Sequence, residues 1–152
     1  LEGGAGQIRI VEYLTEHDIP VCAHLGLKPQ SVHKIGGFKV QGRDQRQARQ
    51  MHEDAHALQQ AGADLVLLEC VPNEVGAEVT AALDVPVIGI GAGPDVDGQI
   101  LVLYDILGIT QGRMPRFVHN YMDESDSIAE ALRNYVAAVK ERVYPAPENC
   151  FS

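Results

Sequence analysis

Apolar positions recur along the chain in two alternating rhythms. Leu65-Val66-Leu67-Leu68 runs without a break and stops at Glu69-Cys70. A run with no polar face reads as a strand buried on both sides, the habit of parallel sheets. Pro86-Val87-Ile88-Gly89-Ile90 predicts another strand, Ile19-Pro20-Val21-Cys22-Ala23 one that ends at His24, and Ile106 to Ile109 a short one. The stretches between carry helical spacing. Ile8, Val11 and Leu14 share a face in a segment closed by Pro20. Gln45 to Ala61 predicts a helix with Met51, Ala55 and Leu58 inward and Gly62 at its end. Asn73 to Leu83 predicts a helix capped by Asn73, and Gly98 to Tyr104 a helical turn. In the last helix Ser127 and Glu130 predict a capping box. Its stripe is Ile128, Leu132, Tyr135, Val136, Val139 and Val143.

Strand and helix in alternation predict a parallel α/β fold. About four units are visible, whereas a closed barrel needs eight and runs to about 250 residues. An open doubly wound sheet needs fewer. The chain opens on Leu1-Glu2-Gly3-Gly4 without Met, which reads as a fragment and favours half a barrel. At 152 residues the chain is long enough for one domain with a sizeable core.

Charge narrows the partners. A net charge of −9 argues against nucleic acid or an anionic membrane surface. No apolar stretch approaches the roughly 20 residues that span a bilayer. Cys22, Cys70 and Cys150 are odd in number and far apart, which argues against a disulfide framework and for a reducing cytoplasm.

The candidate chemistry starts at Glu69. A carboxylate at the end of a buried strand is costly unless paired or used, and strand C-termini are where barrel enzymes do their chemistry. Glu69 is therefore a candidate general base. Cys70 beside it reads as a buried inert thiol rather than a nucleophile. His24 holds the equivalent position on an earlier strand, as a ligand contact or a hydrogen-bonded structural group. Gly89, Gly91 and Gly93 let a backbone approach a ligand and offer N–H groups to an anion, or form a plain tight turn. Residues 25–44 are polar and Gly-bearing, longer than most βα connections, and so candidates for function.

His52-Glu53-Asp54-Ala55-His56 matches H-E-x-x-H, in which two histidines one turn apart hold zinc and the Glu activates water. Both histidines lie off the Met51/Ala55/Leu58 face, no third His follows, and Glu74 or Glu78 would have to come from a separate helix. A zinc hydrolase is thus the lesser reading.

Several stretches together resemble the ketopantoate hydroxymethyltransferase family. They are Leu1–Gly4, Pro20–Gln30, Gly36–Arg43, Leu68–Pro72, Pro86–Gly93, Asp97–Val102 and Val143–Pro145. The resemblance covers the whole chain and the C-terminal half of the family's (βα)₈ TIM barrel, so residues 1–152 are expected to be half of one barrel domain. It implies Mg²⁺-dependent enolisation of 3-methyl-2-oxobutanoate and hydroxymethyl transfer from 5,10-methylenetetrahydrofolate, giving 2-dehydropantoate. By resemblance Glu69 matches the family's base and Glu2 a member of its Mg²⁺ shell; hard oxygen donors suit that ion. His24 becomes a substrate or folate contact. The family's two Asp ligands, a Ser and a Lys are outside this chain. Ala23 and Lys28 depart from the family's Gly and Thr. The resemblance also implies a cytoplasmic, ring-like homo-oligomer of decamer type acting on small molecules, a keto acid and a folate, with no nucleic acid or membrane partner. Two other readings remain at this point: a Mg²⁺ enolate enzyme of the phosphoenolpyruvate/pyruvate group, and a non-enzymatic half-barrel.

Overall fold

The computed structural model describes residues 1–152, except for the side chains of Val32 and Ile35. Its helices are α1 (Ile8–Thr15), α2 (Val32–Ile35), α3 (Gln45–Gln60), α4 (Asn73–Ala82), α5 (Leu103–Ile106) and α6 (Ile128–Lys140). Its strands are β1 (Cys22–Gly26), β2 (Leu65–Glu69), β3 (Val87–Ile90) and β4 (Gly98–Gln99). The sheet order is β1-β2-β3-β4 and every pair is parallel. Neighbours in sequence are therefore neighbours in space, with no reversal of direction across the sheet. A doubly wound sheet has such a reversal and a barrel does not. The topology thus favours the barrel over the open sheet. Before β1, a parallel bridge joins Glu2 to His24, with Gly3 N–H donating to His24 O and His24 N–H to Leu1 O, both at 2.9 Å. Leu1–Gly3 thus lies along the free edge of β1.

Local chemistry explains the helix that backs the site. Asp44 caps α3 by accepting from Gln47 N–H at 2.8 Å. Met51, Ala55 and Leu58 then fall on one buried face, as their spacing predicts. Gly62 ends the helix at φ +98°, where a Cβ would press on Thr15, whose hydroxyl donates to Ala61 O at 3.0 Å. On the helix side of the sheet, these residues join Val11, Ala23, Leu25, Val66, Leu68, Val75, Val79 and Val87 in the main core. The other side of the sheet has a smaller cluster of Leu27, Cys70, Ile90, Phe117 and Phe151, with Val40, Leu67 and Leu101 against it.

Several expectations change. Strand β2 is not buried on both sides: Val66 and Leu68 are sealed, whereas Leu65, Leu67 and Glu69 are half-covered. Helices pack one face tightly, and only the smaller cluster covers the other. Strand β1 starts at Cys22 and runs past His24, its expected end, to Gly26. Pro72, not Asn73, holds the cap position of α4. The run 106–109 is no strand. Leu103–Ile106 coils into α5, Gly108 turns at φ +65°, and Thr110 donates to the buried Asp105 carboxylate at 2.6 Å; Gly98–Gln99 pairs with β3 instead. In α6 half of the predicted stripe is outside. The small Ala131 is the buried residue, with Leu132, Tyr135 and Ala138 near it against Ile106 and Tyr121, while Ile128, Val136 and Val143 are exposed. Its capping box is half formed: Ser127 accepts from Glu130 N–H at 3.2 Å, but Glu130 accepts from Asp126 N–H at 2.9 Å.

Candidate active site

Strand alternation delivers the site. Ala23 and Leu25 of β1 point into the helix-side core, so His24 points to the opposite face. In β2, Val66 and Leu68 point to the same core, so Glu69 shares the His24 face. The register sets Gly26 opposite Glu69 and His24 opposite Leu67, which puts the two polar side chains diagonally across from one another. His24 Nε2 lies 3.1 Å from Glu69 Oε2, and His24 Nδ1 lies 3.8 Å from Glu2 Oε1. The His24–Glu69 contact is close but not aligned as a hydrogen bond, so Nε2 is buried without a hydrogen-bond partner. His24 is 8% exposed, and the side chains of Glu69 and Glu2 are 14% and 27% exposed. Two carboxylates thus flank one imidazole at the C-terminal end of the sheet.

Close backbone approach fixes this arrangement. Gly26 has φ +91°, and a Cβ there would sit 2.1 Å from the Glu69 carbonyl oxygen, which also accepts from Leu27 N–H at 2.8 Å. Only glycine fits both demands. Cys70, just past the strand, adopts φ +56° while its N–H donates to Ile90 O and its carbonyl accepts from Gln41 N–H, both at 2.9 Å. A left-handed non-glycine residue next to the candidate base is a strained turn held by its neighbours. Burial, reinforced by the Glu69 charge and opposed by Arg43, pushes the Cys70 thiol up to about 11. It is protonated at neutral pH and unsuited to nucleophilic attack.

The glycine turn after β3 is packed against protein groups. A Cβ at Gly91 would meet the Phe117 ring, one at Gly93 the Asn73 side chain, and one at Gly89 the side chain of Val96. Their lack of side chains lets the mouth of the sheet close around Phe117. The tail joins this closure: Asn73 N–H donates to Phe151 O at 2.9 Å, and Tyr144 Oη to Phe117 O at 2.6 Å.

Three contributors carried little signal in the sequence. Gln30 lies against Glu2. Oriented with its amide nitrogen toward the carboxylate, it donates to both oxygens, at 2.7 Å to Oε2. Asp54 packs onto Gly4, taking the space a Cβ would need, while Gln50 Nε2 donates to its other oxygen at 2.9 Å. A cavity of about 380 Å³ opens beside His24, between Gly3–Gly4, the end of β1 and the first half of α3. Long-range pairing of this kind leaves no periodic trace along a chain.

As a hard carboxylate, Glu2 fits a Mg²⁺ shell. Among the described residues, however, no three His, Cys, Asp or Glu side chains stand together as metal donors, so these residues do not by themselves make a Mg²⁺ site. The same holds for the H-E-x-x-H segment. His52 Nε2 lies 3.0 Å from Glu78 Oε2 across α3 and α4, and His56 is exposed. The structure does bring His52 and Glu78 together, but as a surface pair.

A sequence model of the ketopantoate hydroxymethyltransferase family matches residues 1–147. The chain belongs to that family. Relatives named 3-methyl-2-oxobutanoate hydroxymethyltransferase include one from Marinobacter nauticus, 57% identical over 99% of this chain and 57% of its own length. Another, from Chromohalobacter salexigens, is 55% identical over 99% and 57%. One from Pseudomonas fluorescens is 54% identical over 100% and 58%. The chain therefore spans somewhat more than half the length of the curated relatives it matches. The family's fold is the TIM barrel, in keeping with the unidirectional parallel sheet. A solved aldolase structure, YdjI from Escherichia coli K12, aligns over 93% of this chain and 56% of its own at TM-score 0.39 and 19% identity, too little to bear on fold or function. Among the described residues, no helix is long and apolar enough to cross a membrane.

Proposed function

We propose that this chain carries the proton-abstracting half of a one-carbon transferase. The reaction is Mg²⁺-dependent enolisation of 3-methyl-2-oxobutanoate, followed by hydroxymethyl transfer from 5,10-methylenetetrahydrofolate to give 2-dehydropantoate. The observation that carries this reading is the convergence of Glu2, His24 and Glu69 at the C-terminal end of a parallel sheet in a chain of this family. Residues 1–152 are taken as the C-terminal half of one barrel domain. A cytoplasmic ring-like homo-oligomer belongs to the same reading.

Glu69 is the base. Its carboxylate takes the β-carbon proton of the keto acid, and the C–H electron pair becomes that of the enolate. Water opens the folate's methylene bridge, breaking both C–N bonds to release tetrahydrofolate and leave a formaldehyde-level carbon. The enolate carbon bonds to that carbon, whose C=O pair moves to oxygen as an alkoxide that takes the proton held by Glu69. Overall, one water is taken up as the new hydroxyl group and tetrahydrofolate is released. His24 Nε2, buried and without a hydrogen-bond partner beside Glu69, is the group of this chain left to meet a substrate oxygen. Glu2 is the donor that this chain contributes to the Mg²⁺ shell.

The test uses Glu69→Gln in the protein at the relatives' full length, with the β-proton of 3-methyl-2-oxobutanoate followed in D₂O. Exchange and transfer should collapse together while keto-acid binding survives. Exchange at the parental rate with transfer lost would remove Glu69 from the base role and assign it to the folate side.

A further inference from the structure

The chain's charge is unevenly spread. Residues 28–49 hold six of its 12 Lys and Arg residues (Lys28, Lys34, Lys39, Arg43, Arg46 and Arg49) but one of its 21 acids, Asp44. A chain of net charge −9 thus carries a segment of net +5. Among the described residues, the carboxylate pairs are all made by histidines, so none of these six cations is neutralised by an acid. Gathered like charges repel unless an anion is shared between them.

Two of the six face one cavity. Lys28 and Arg46 line the space of about 380 Å³ that also touches His24. That volume falls in the range of small-molecule sites. Gln47 lines it too, and its oxygen accepts from Gly42 N–H at 3.1 Å, which leaves its amide NH₂ for another acceptor. The one acid in the wall is Asp54, held by Gln50 and packed on Gly4. On the other side of His24, Glu2 and Glu69 repel anions. The cavity therefore favours an anionic group precisely where the neighbouring carboxylates do not.

We propose that this cavity binds the glutamyl end of the folate donor, with Lys28 and Arg46 as partners for its carboxylates and Gln47 as an amide donor. This rests on the one-carbon transfer reading above. It divides the labour around His24: proton chemistry on the Glu69 side, anchoring of the donor's charged end on the Lys28 side.

The experiment measures binding of tetrahydrofolate and of tetrahydropteroate, which lacks the glutamyl group, by fluorescence titration at two salt concentrations. The proteins are the parent, Lys28→Thr/Arg46→Gln and the charge-reversing Lys28→Glu, all at the relatives' full length. The double variant should lose about three- to tenfold in tetrahydrofolate affinity, as expected for two partly exposed charge pairs. Lys28→Glu, which puts a repelling charge in the cavity wall, should lose at least as much as the double variant. Tetrahydropteroate affinity should hold in all three, which also reports that the fold is intact. The salt dependence of tetrahydrofolate binding should be shallower in the double variant than in the parent. Unchanged tetrahydrofolate affinity in the double variant, or an equal loss for tetrahydropteroate, overturns the anion site while leaving the transferase reading in place. A parent that binds neither compound overturns both.

Discussion

The molecule has two histidine–carboxylate pairs of nearly the same length. His24 Nε2 and Glu69 Oε2 are 3.1 Å apart, and His52 Nε2 and Glu78 Oε2 are 3.0 Å apart. The difference lies in what surrounds them. The first pair joins His24 inside β1 to Glu69 at the end of β2 in a covered cleft, with side chains 11% and 14% exposed. The second bridges two helices at the surface, with Glu78 66% exposed. Water screens the outer pair and leaves it worth little, on the order of 0–1 kcal/mol. The inner pair is shielded, and Glu2 adds a second carboxylate to the same imidazole. Residue types and distance are alike, so burial and the third partner must set the chemistry.

The largest expected contrast comes from making one substitution at both pairs. Glu69→Gln should cost on the order of 10²–10⁴ in transfer rate, the usual range for losing a general base. Glu78→Gln should leave the rate within about twofold, as expected for an exposed pair. Steady-state rates of both variants in the protein at the relatives' full length check this. Comparable losses would erase the distinction between the pairs.

A second contrast uses the thiols. With its thiol pushed up to about 11, the buried Cys70 should alkylate at pH 8 more slowly than the exposed Cys22, whose thiol partial burial also raises. The Cys70 rate should climb as pH rises toward 11, because the thiolate is the reactive form. Mass spectrometry of iodoacetamide-treated protein over time gives both rates. Early labelling of Cys70 would mean that the cleft beside Glu69 is open to water.

Gly26→Ala sharpens the inner pair from its backbone. The left-handed φ and the clash with the Glu69 carbonyl should together cost about 2–4 kcal/mol in stability. Activity should fall with it, as Glu69 is displaced. Urea unfolding measures the first effect. A loss below about 0.5 kcal/mol, the ordinary surface range, would show that β1 and β2 tolerate separation.

The smallest effect is expected outside. His52→Gln with His56→Gln should change stability by less than about 0.5 kcal/mol and leave transfer intact. Loss of activity in the double variant, restored to the parent by zinc after chelation, would revive the hydrolase reading.

Much of the inner site was legible along the chain. The run Leu65–Leu68 ending at Glu69 marked a parallel strand and a candidate carboxylate at its end, because full burial of one strand face demands apolar residues and a terminal carboxylate breaks that demand. His24 was legible as a candidate for the same reason, although its strand runs two residues further, to Gly26. The H-E-x-x-H segment shows the opposite case. Its spacing is right for a helix, but spacing says nothing of what faces it. The apolar stripe of α6 misled similarly: periodicity gives a face, and the small Ala131 decided which face could approach Tyr121.

By itself the sequence determined most of the element types up to β3, the parallel α/β class and the chemical identity of Glu69 and Glu2, since these follow from local periodicity, capping and residue type. Only the tertiary structure decided that the sheet runs in one direction, that Gln30 meets Glu2, that Asp54 lies on Gly4, and that Lys28 and Arg46 share a cavity with His24. Those juxtapositions join residues far apart in the chain. They are set by strand register and by how closely glycines let backbones approach, and neither leaves a periodic mark in the sequence.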